Sequence, residues 1–246
     1  MPENGQAIQS RGRRPPPAPE AIALDVLYED EWLMAVDKPA GMVVHPTYRN
    51  WSGTLLNGLL ARVPAGVQPR IVTRLDKDTS GVVVVALSAE VHKQLQRDGV
   101  AGRLQKEYLA IVRGVPAPPQ GAIDGPLARS RADRRRVVVD AGGRQSRTTY
   151  NVVSSDGGMS LVRCGLETGR THQIRVHLAS RGWPILGDLV YGEPFDGLTR
   201  HALHAWRLTL PHPDTRTWLA PEAPIPADLR TLIRRLFPAA RHLHCG

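Results

Sequence analysis

The sequence predicts an α+β domain, with several antiparallel strands and scattered helices. Three observations carry that prediction. The run Val82-Val83-Val84-Val85 is β-branched without alternation, as a strand buried on both faces requires. Elsewhere, short apolar segments come in pairs around turn residues, the signature of antiparallel hairpins. The helical periodicities are few and scattered, so a regular βαβ alternation is absent and a doubly wound parallel sheet is disfavoured.

Taken in order, residues 1–20 hold Arg11, Arg13 and Arg14 followed by Pro15-Pro16-Pro17-Ala18-Pro19. Such a segment buries too little apolar surface to offset its ordering and reads as a disordered or extended basic arm. The domain proper is expected over 21–240, with a tail at 241–246. Leu24–Tyr28 and Trp32–Val36 form a strand pair around Glu29-Asp30-Glu31. Thr54–Val63 has helical spacing, with Thr54 as cap and Pro64 as stop. Ser88–Arg97 repeats that logic, ending at Asp98-Gly99. Tyr108–Val112 is strand-like and Pro116–Gln120 is a loop. Val137–Val139 returns to strand before a hairpin turn at Asp140–Arg144. Thr148–Val153 pairs with Leu161–Leu166 around Ser155-Asp156-Gly157-Gly158. Thr171–Arg181 turns helical with Ile174, His177 and Leu178 on one face, Arg175 at another angle and Gly182 as stop. Leu203–Leu210 is a strand, Trp218 begins another, and Pro226–Phe237 is an amphipathic helix.

The 246 residues carry a net charge of +9, which favours polyanionic partners through attraction and counterion release. No apolar run approaches the roughly 20 residues of a membrane span. Met1–Glu20 lacks the apolar centre of a secretory signal. A cytoplasmic, nucleic-acid-associated protein is the expected class, and nothing in the sequence demands more than a monomer. Cys164 sits among apolar neighbours as a small core residue, while Cys245, near His242 and His244, reads as part of a frayed end.

The chemistry concentrates in Thr73-Arg74-Leu75-Asp76-Lys77-Asp78-Thr79-Ser80-Gly81, directly before the buried run. Asp78, Thr79 and Ser80 can bond nearby backbone, and a carboxylate on a turn anchored by a core strand is held rigidly. A solvated charged turn would satisfy the spacing equally well. A second concentration is Arg129, Arg131, Arg134, Arg135 and Arg136, five arginines in eight positions. These charges repel one another, and a turn that tolerates this suits a phosphate-facing surface as well as a solvated one.

Arg74–Gly81 resembles the catalytic motif of the RluA family of RNA pseudouridine synthases. Asp37–Pro46, Lys106–Gly114, Thr168–Leu178, Pro184–Asp188 and Leu203–Ala205 are similar, in order, to further motifs of that family. The resemblance runs from about Ile22 to Leu219. It implies the pseudouridine synthase catalytic fold, a mixed, mostly antiparallel central sheet flanked by helices and loops around an active-site cleft, and isomerisation of uridine in ribosomal or transfer RNA. The base is extruded from the RNA for that reaction, which needs neither a redox cofactor nor a metal. It further implies that Asp76 is the catalytic aspartate and that Tyr108 stacks on the target base and shares in the proton step. Arg175 would pair with the aspartate, since a neighbouring guanidinium favours the charged form of a carboxylate. Arg74 would help fill the gap left by the extruded nucleotide.

Arg170, Thr171, His172 and Gln173 are expected near a helix N-terminus, where backbone donors favour phosphate. His172 and His177, five residues apart, do not share one helical face and have no evident third ligand, so no metal site is expected. The chain departs from the family in carrying Thr73 where histidine is usual. It also has no room for an S4-type RNA-binding domain ahead of the catalytic domain, so RNA binding is expected from the catalytic domain itself. Two rivals stand beside this reading. One is a non-catalytic RNA-binding or chaperone protein on the same scaffold. The other is a nucleoside or glycoside hydrolase, which typically needs two acidic groups in register where only one well-placed carboxylate is found. A base deaminase is excluded, because its zinc signature is missing.

Overall fold

A computed structural model of the chain describes residues 15–240 apart from residue 49. Arg11, Arg13 and Arg14 of the expected arm, and the tail at 241–246, lie outside the described residues. Residues 15–20 lie within them. There Glu20 N–H donates to Asn57 O at 3.0 Å, and Asn57 Nδ2 donates to Ala18 O at 2.8 Å. The last residues assigned to the arm are thus docked on the first helix.

The elements follow as β1 (Asp25–Glu29), β2 (Leu33–Lys38), α1 (Leu55–Arg62), β3 (Arg70–Ile71), β4 (Ser80–Ala86) and α2 (Ala89–Val100). Then come β5 (Gln105–Arg113), β6 (Gln120–Asp124), β7 (Leu127–Arg129), β8 (Val137–Val139), β9 (Arg147–Asp156) and β10 (Met159–Leu166). The chain closes with α3 (Gln173–Ser180), β11 (Leu203–Pro211), β12 (Trp218–Leu219) and α4 (Ala227–Leu236). The main sheet runs β1-β2-β4-β11-β5-β10-β9-β6, with β3 and β12 added beside β4 and β11. All of its pairings are antiparallel except the central one between β4 and β11. The mixed, mostly antiparallel sheet predicted from the sequence is the observed one.

Both faces of β4 are covered, which explains its unbroken valine run. Val82, Val84 and Ala86 pack with Val91 and Leu95 of α2, while Val83 and Val85 pack with Leu55 and Leu59 of α1. Alternate residues of a strand face opposite ways, so one run feeds two cores. Each helix starts where its cap predicts. Thr54 and Asn57 form a reciprocal capping box, and Ser88 Oγ accepts from Val91 N–H at 3.1 Å. The expected stop at Asp98-Gly99 does not hold, because α2 continues to Val100. Asp98 is buried there and bonds the guanidiniums of Arg103 and Arg216, so its carboxylate joins α2 to the rest of the domain.

The seam between β4 and β11 pairs Ser80 with His204 and Gly81 with Ala205. Gly81 has φ +114°, and a Cβ there would lie 2.1 Å from Ala205 O, so only glycine lets the two strands meet. Around the arginine run the observed hairpin is β7–β8, with the arginines forming its connection. The turn at Asp140–Arg144 exists, closed by Gly143 N–H to Asp140 O at 2.8 Å. It folds Arg144 back onto Leu127 rather than joining two paired neighbours. Short edge strands such as β6 and β7 carry too few apolar residues to announce themselves in the sequence. Among the described residues no helix is long and apolar enough to cross a membrane.

Candidate active site

The loop that leads into β4 delivers Asp76, and each of the next four residues is gripped by another part of the chain. Lys77 O accepts from Gly41 N–H at 2.9 Å and from Lys38 Nζ at 3.0 Å. Lys38 is fully buried and also donates to Pro39 O and Met42 O at 2.8 and 2.9 Å. Burial lowers its pKa to about 8. Asp78 O accepts from Arg200 Nη1 at 3.2 Å. The Thr79 hydroxyl lies 2.7 Å from His201 Nε2, and the Ser80 hydroxyl 2.9 Å from His204 Nδ1. Thr73, the departure from the family pattern, closes the upstream end by accepting from Val84 N–H at 3.0 Å. These contacts hold the backbone and leave the Asp76 carboxylate free, with 25% of its side chain exposed.

His201 and His204 are both buried, and burial lowers the pKa of each to about 4. In the unfolded chain each would titrate near 6.5. The unfolded state therefore binds more protons between about 4 and 6.5, and stability is lost as pH falls through that window. Asp37, raised to about 6 by burial and by Asp25, acts in the opposite sense but is one group against two. The midpoint of urea unfolding should fall from pH 7 to pH 5, and fall less in His204→Asn. An equal fall in both proteins would remove His204 from the account.

Arg175 meets Asp76 from α3. The residue before the helix, His172, has φ +55°, a left-handed conformation that side chains seldom adopt. The buried Gln173 side chain ties down the same corner. Its Oε1 accepts from the Thr168 hydroxyl at 2.8 Å and from Arg170 N–H at 3.0 Å, and its Nε2 donates to Arg147 O at 2.9 Å. With the helix start fixed, the Arg175 fork is shared between two carboxylates. Nε and Nη2 donate to Asp188 at 2.7 and 2.8 Å, and Nη1 donates to Asp76 Oδ2 at 3.0 Å. Burial works against charge on Arg175, but the bonds to Asp188 and the charges of Asp188 and Asp76 outweigh it and raise its pKa. For Asp188 burial opposes ionisation, and Arg175 with the backbone N–H of Val190 outweighs it. Asp188 Oδ1 also receives Tyr191 N–H at 3.2 Å.

Tyr108 lies on β5 opposite Ala205 of β11, which is itself opposite Gly81 of β4. With strands about 4.8 Å apart, this row sets Tyr108 two strands from the start of β4. The residue is 7% exposed, and burial together with the charge of Asp76 pushes its phenol pKa well up. Asp76, Tyr108 and Arg175, named from sequence, thus converge in the fold. The residues expected to face RNA divide. Arg74, Arg129, Arg131, Arg134, Arg135, Arg136, Arg170 and Thr171 are exposed. Two of the hairpin arginines are already engaged with their own loop, Arg129 with Arg134 O and Arg135 with Asp133. Gln173 is buried and spends its amide on the helix start, so its side chain builds the corner and does not face RNA. His172 is half-buried, with Nδ1 at 2.8 Å from the Tyr191 hydroxyl and Nε2 at 3.8 Å from Asp76 Oδ2.

Sequence reasoning gave no role to Asp188, Tyr191, Lys38, Arg200 and His201, although Lys38 and Asp188 lie in motifs that it singled out. The signal that could have found Asp188 is the position of Arg175 on a largely buried helix. A guanidinium placed there needs a carboxylate inside the protein.

The chain matches a family model described as RNA pseudouridylate synthase over residues 32–180. It is 45% identical over 229 residues to ribosomal large subunit pseudouridine synthase D of Nitrosomonas europaea, covering 88% of this chain and 66% of that one. It is 38% identical to the uncharacterized RNA pseudouridine synthase YlyB of Bacillus subtilis, covering 95% of this chain and 84% of the other. Among solved structures, human RNA pseudouridylate synthase domain containing 4 superposes with a TM-score of 0.71 at 27% identity, covering 86% of this chain and 92% of that one. The chain spans about two thirds of the length of the Nitrosomonas relative. With more than half of its residues matched by the family model, and with kinship along nearly its whole length, the chain belongs to the RluA family of RNA pseudouridylate synthases.

Proposed function

We propose that the chain isomerises uridine to pseudouridine in ribosomal RNA, with Asp76 as the reacting carboxylate. The observation that carries this reading is the Asp76–Arg175 pair: a partly exposed carboxylate held at 3.0 Å by a guanidinium that is itself 5% exposed. In the reaction the bond from ribose C1′ to base N1 breaks, the uracil turns, and C1′ joins C5. The proton on C5 leaves and N1 ends protonated, so atoms and charge balance without a co-reactant. Arg175 bonds one oxygen of Asp76 and leaves the other available to the nucleotide. Tyr108 offers its ring to the extruded base. Because its phenol stays neutral, it takes part in the proton step as a hydroxyl and not as a phenolate.

The backbone of the RNA is held by Arg74, by the β7–β8 hairpin with Arg129, Arg131, Arg134, Arg135 and Arg136, and by Arg170 and Thr171 at the start of α3. Residues 21–240 act as one catalytic domain. Ribosomal RNA as the substrate rests on the names of the relatives, several of which are called ribosomal large subunit pseudouridine synthase D, and the cytoplasm is proposed as the place where such a substrate is met.

The test is pseudouridine mapping of total RNA from cells with and without the protein. Sites that vanish, and return with the intact chain, identify the activity and the substrate together. If every site persists while the purified protein still binds RNA, a non-catalytic RNA-binding role replaces this one. Tyr108→Phe keeps the buried ring and removes the hydroxyl. It should bind RNA normally and lose about 10²-fold or more in single-turnover rate. Formation of product at the wild-type rate would remove the hydroxyl from the mechanism.

A further inference from the structure

Tyr191 stands where three parts of the site meet. Its hydroxyl receives Val137 N–H at 2.8 Å, from the first residue of β8, directly after the arginine run. The same hydroxyl lies 2.8 Å from His172 Nδ1. Its ring lies under two guanidiniums, with Arg136 Cζ at 5.4 Å and Arg175 Cζ at 5.2 Å from the centroid, both within cation–π range. The His172 ring meets it edge-on at 5.6 Å. The backbone of Tyr191 is fixed in turn by Asp188, the carboxylate that holds Arg175.

One arrangement of the protons gives every polar group here a partner. In it the Tyr191 oxygen accepts from Val137 N–H and its O–H donates to His172 Nδ1. A neutral imidazole that accepts at Nδ1 carries its proton on Nε2. That nitrogen points at Asp76 Oδ2 from 3.8 Å, about an ångström too far for a direct hydrogen bond. Catalytic hydrogen bonds are often long in the free enzyme and tighten only with substrate in place.

We propose that Tyr191 is a positioning residue that ties the arginine hairpin to the Asp76 carboxylate, so that RNA held on the hairpin sets the geometry of the reacting group. The inference rests on the proposed function for its substrate. Phosphate drawn to Arg134 and Arg136 steadies the chain at Val137. Val137 N–H then steadies the Tyr191 hydroxyl, and the hydroxyl fixes His172 with Nε2–H toward Asp76. Shortening that last gap gives the carboxylate a second donor on the oxygen that Arg175 already holds.

Two measurements on the full-length protein test this. The first is the ring-nitrogen NMR spectrum of His172, read without RNA. Wild type should show the Nε2–H tautomer, and Tyr191→Phe should lose that preference. An Nδ1–H tautomer in wild type, or an unchanged spectrum in Tyr191→Phe, overturns the proposal. The second is a double-mutant cycle on the single-turnover rate with enzyme in excess. Tyr191→Phe should be slower by about tenfold with RNA affinity within about twofold, a split that a merely structural residue would not give. Arg136→Ala should slow the wild type but add little in the Tyr191→Phe background. Effects that multiply across the two positions overturn the coupling. If wild type proves inactive on every RNA, the proposed function falls, whereas the NMR spectrum still decides the hydrogen-bond relay.

Discussion

Asp76→Ala is expected to lower the single-turnover rate of pseudouridine formation by at least about 10³-fold while RNA affinity changes by less than about threefold. The size follows from the carboxylate being the reacting group of the proposed isomerisation. The selectivity follows from how the loop is built. Lys77, Asp78, Thr79 and Ser80 are held through backbone carbonyls and hydroxyls by Lys38, Gly41, Arg200, His201 and His204, and none of these contacts uses the Asp76 side chain. Arg175 also keeps two bonds to Asp188 when Asp76 is removed, so no buried cation is left unpaired. The variant should melt within a few degrees of wild type. Retention of turnover would sink the assignment, and a collapse of stability would show that the loop is less independent than its contacts suggest.

Arg175→Ala should do damage of two kinds. Its partner Asp188 has a side chain with no exposure, and losing the guanidinium leaves a buried carboxylate supported only by backbone N–H groups. Breaking a buried pair in this way costs about 3–5 kcal/mol. Asp76 loses its partner in the same step, so activity should fall by about 10²-fold or more even under conditions where the protein is folded. The two losses can be separated. Replacing both members with apolar residues of similar volume, Arg175→Met with Asp188→Leu, should recover much of the stability and none of the activity. Denaturation by urea reads the first and single-turnover kinetics the second. Recovery of activity in the double variant would contradict the role of Arg175 at Asp76. An Arg175→Ala protein within about 1 kcal/mol of wild type would show that the pair is not a buried one in solution.

What the sequence made legible was whatever repeats locally or follows directly along the chain. The valine run announced β4 because a strand covered on both faces tolerates no polar residue. Thr54 and Ser88 announced helix starts because a cap is a local bond. That Asp76, Tyr108 and Arg175 come together was legible because short motifs surround them. The rest depends on residues distant in sequence. Nothing near Asp98 says that Arg216 will reach it, so its place inside α2 read as a stop. Gln173 looked like part of a phosphate-facing corner because it was expected near a helix N-terminus, where backbone donors favour phosphate. Its burial is decided by Arg147 and Thr148 on β9. Tyr191 carries no periodic or motif signal at all, and its importance emerges only where the hairpin, α3 and the turn after Asp188 come together.

The grip on the Asp76 loop has a consequence for the life of the chain before it is finished. Thr79 and His201 are 122 residues apart, and Arg200 is anchored in turn by Asp228. At about 5–20 residues per second, a ribosome needs roughly 6–24 s to travel from the one to the other. During that interval the aspartate and its strand have emerged but half of their supports have not yet been made. A nascent chain, or any product that ends before residue 200, can therefore present its hairpin arginines to RNA without a fixed reacting group. In the proposed reaction, chemistry on RNA therefore waits until residues 200 and 201 have been made, by topology alone and without an inhibitor.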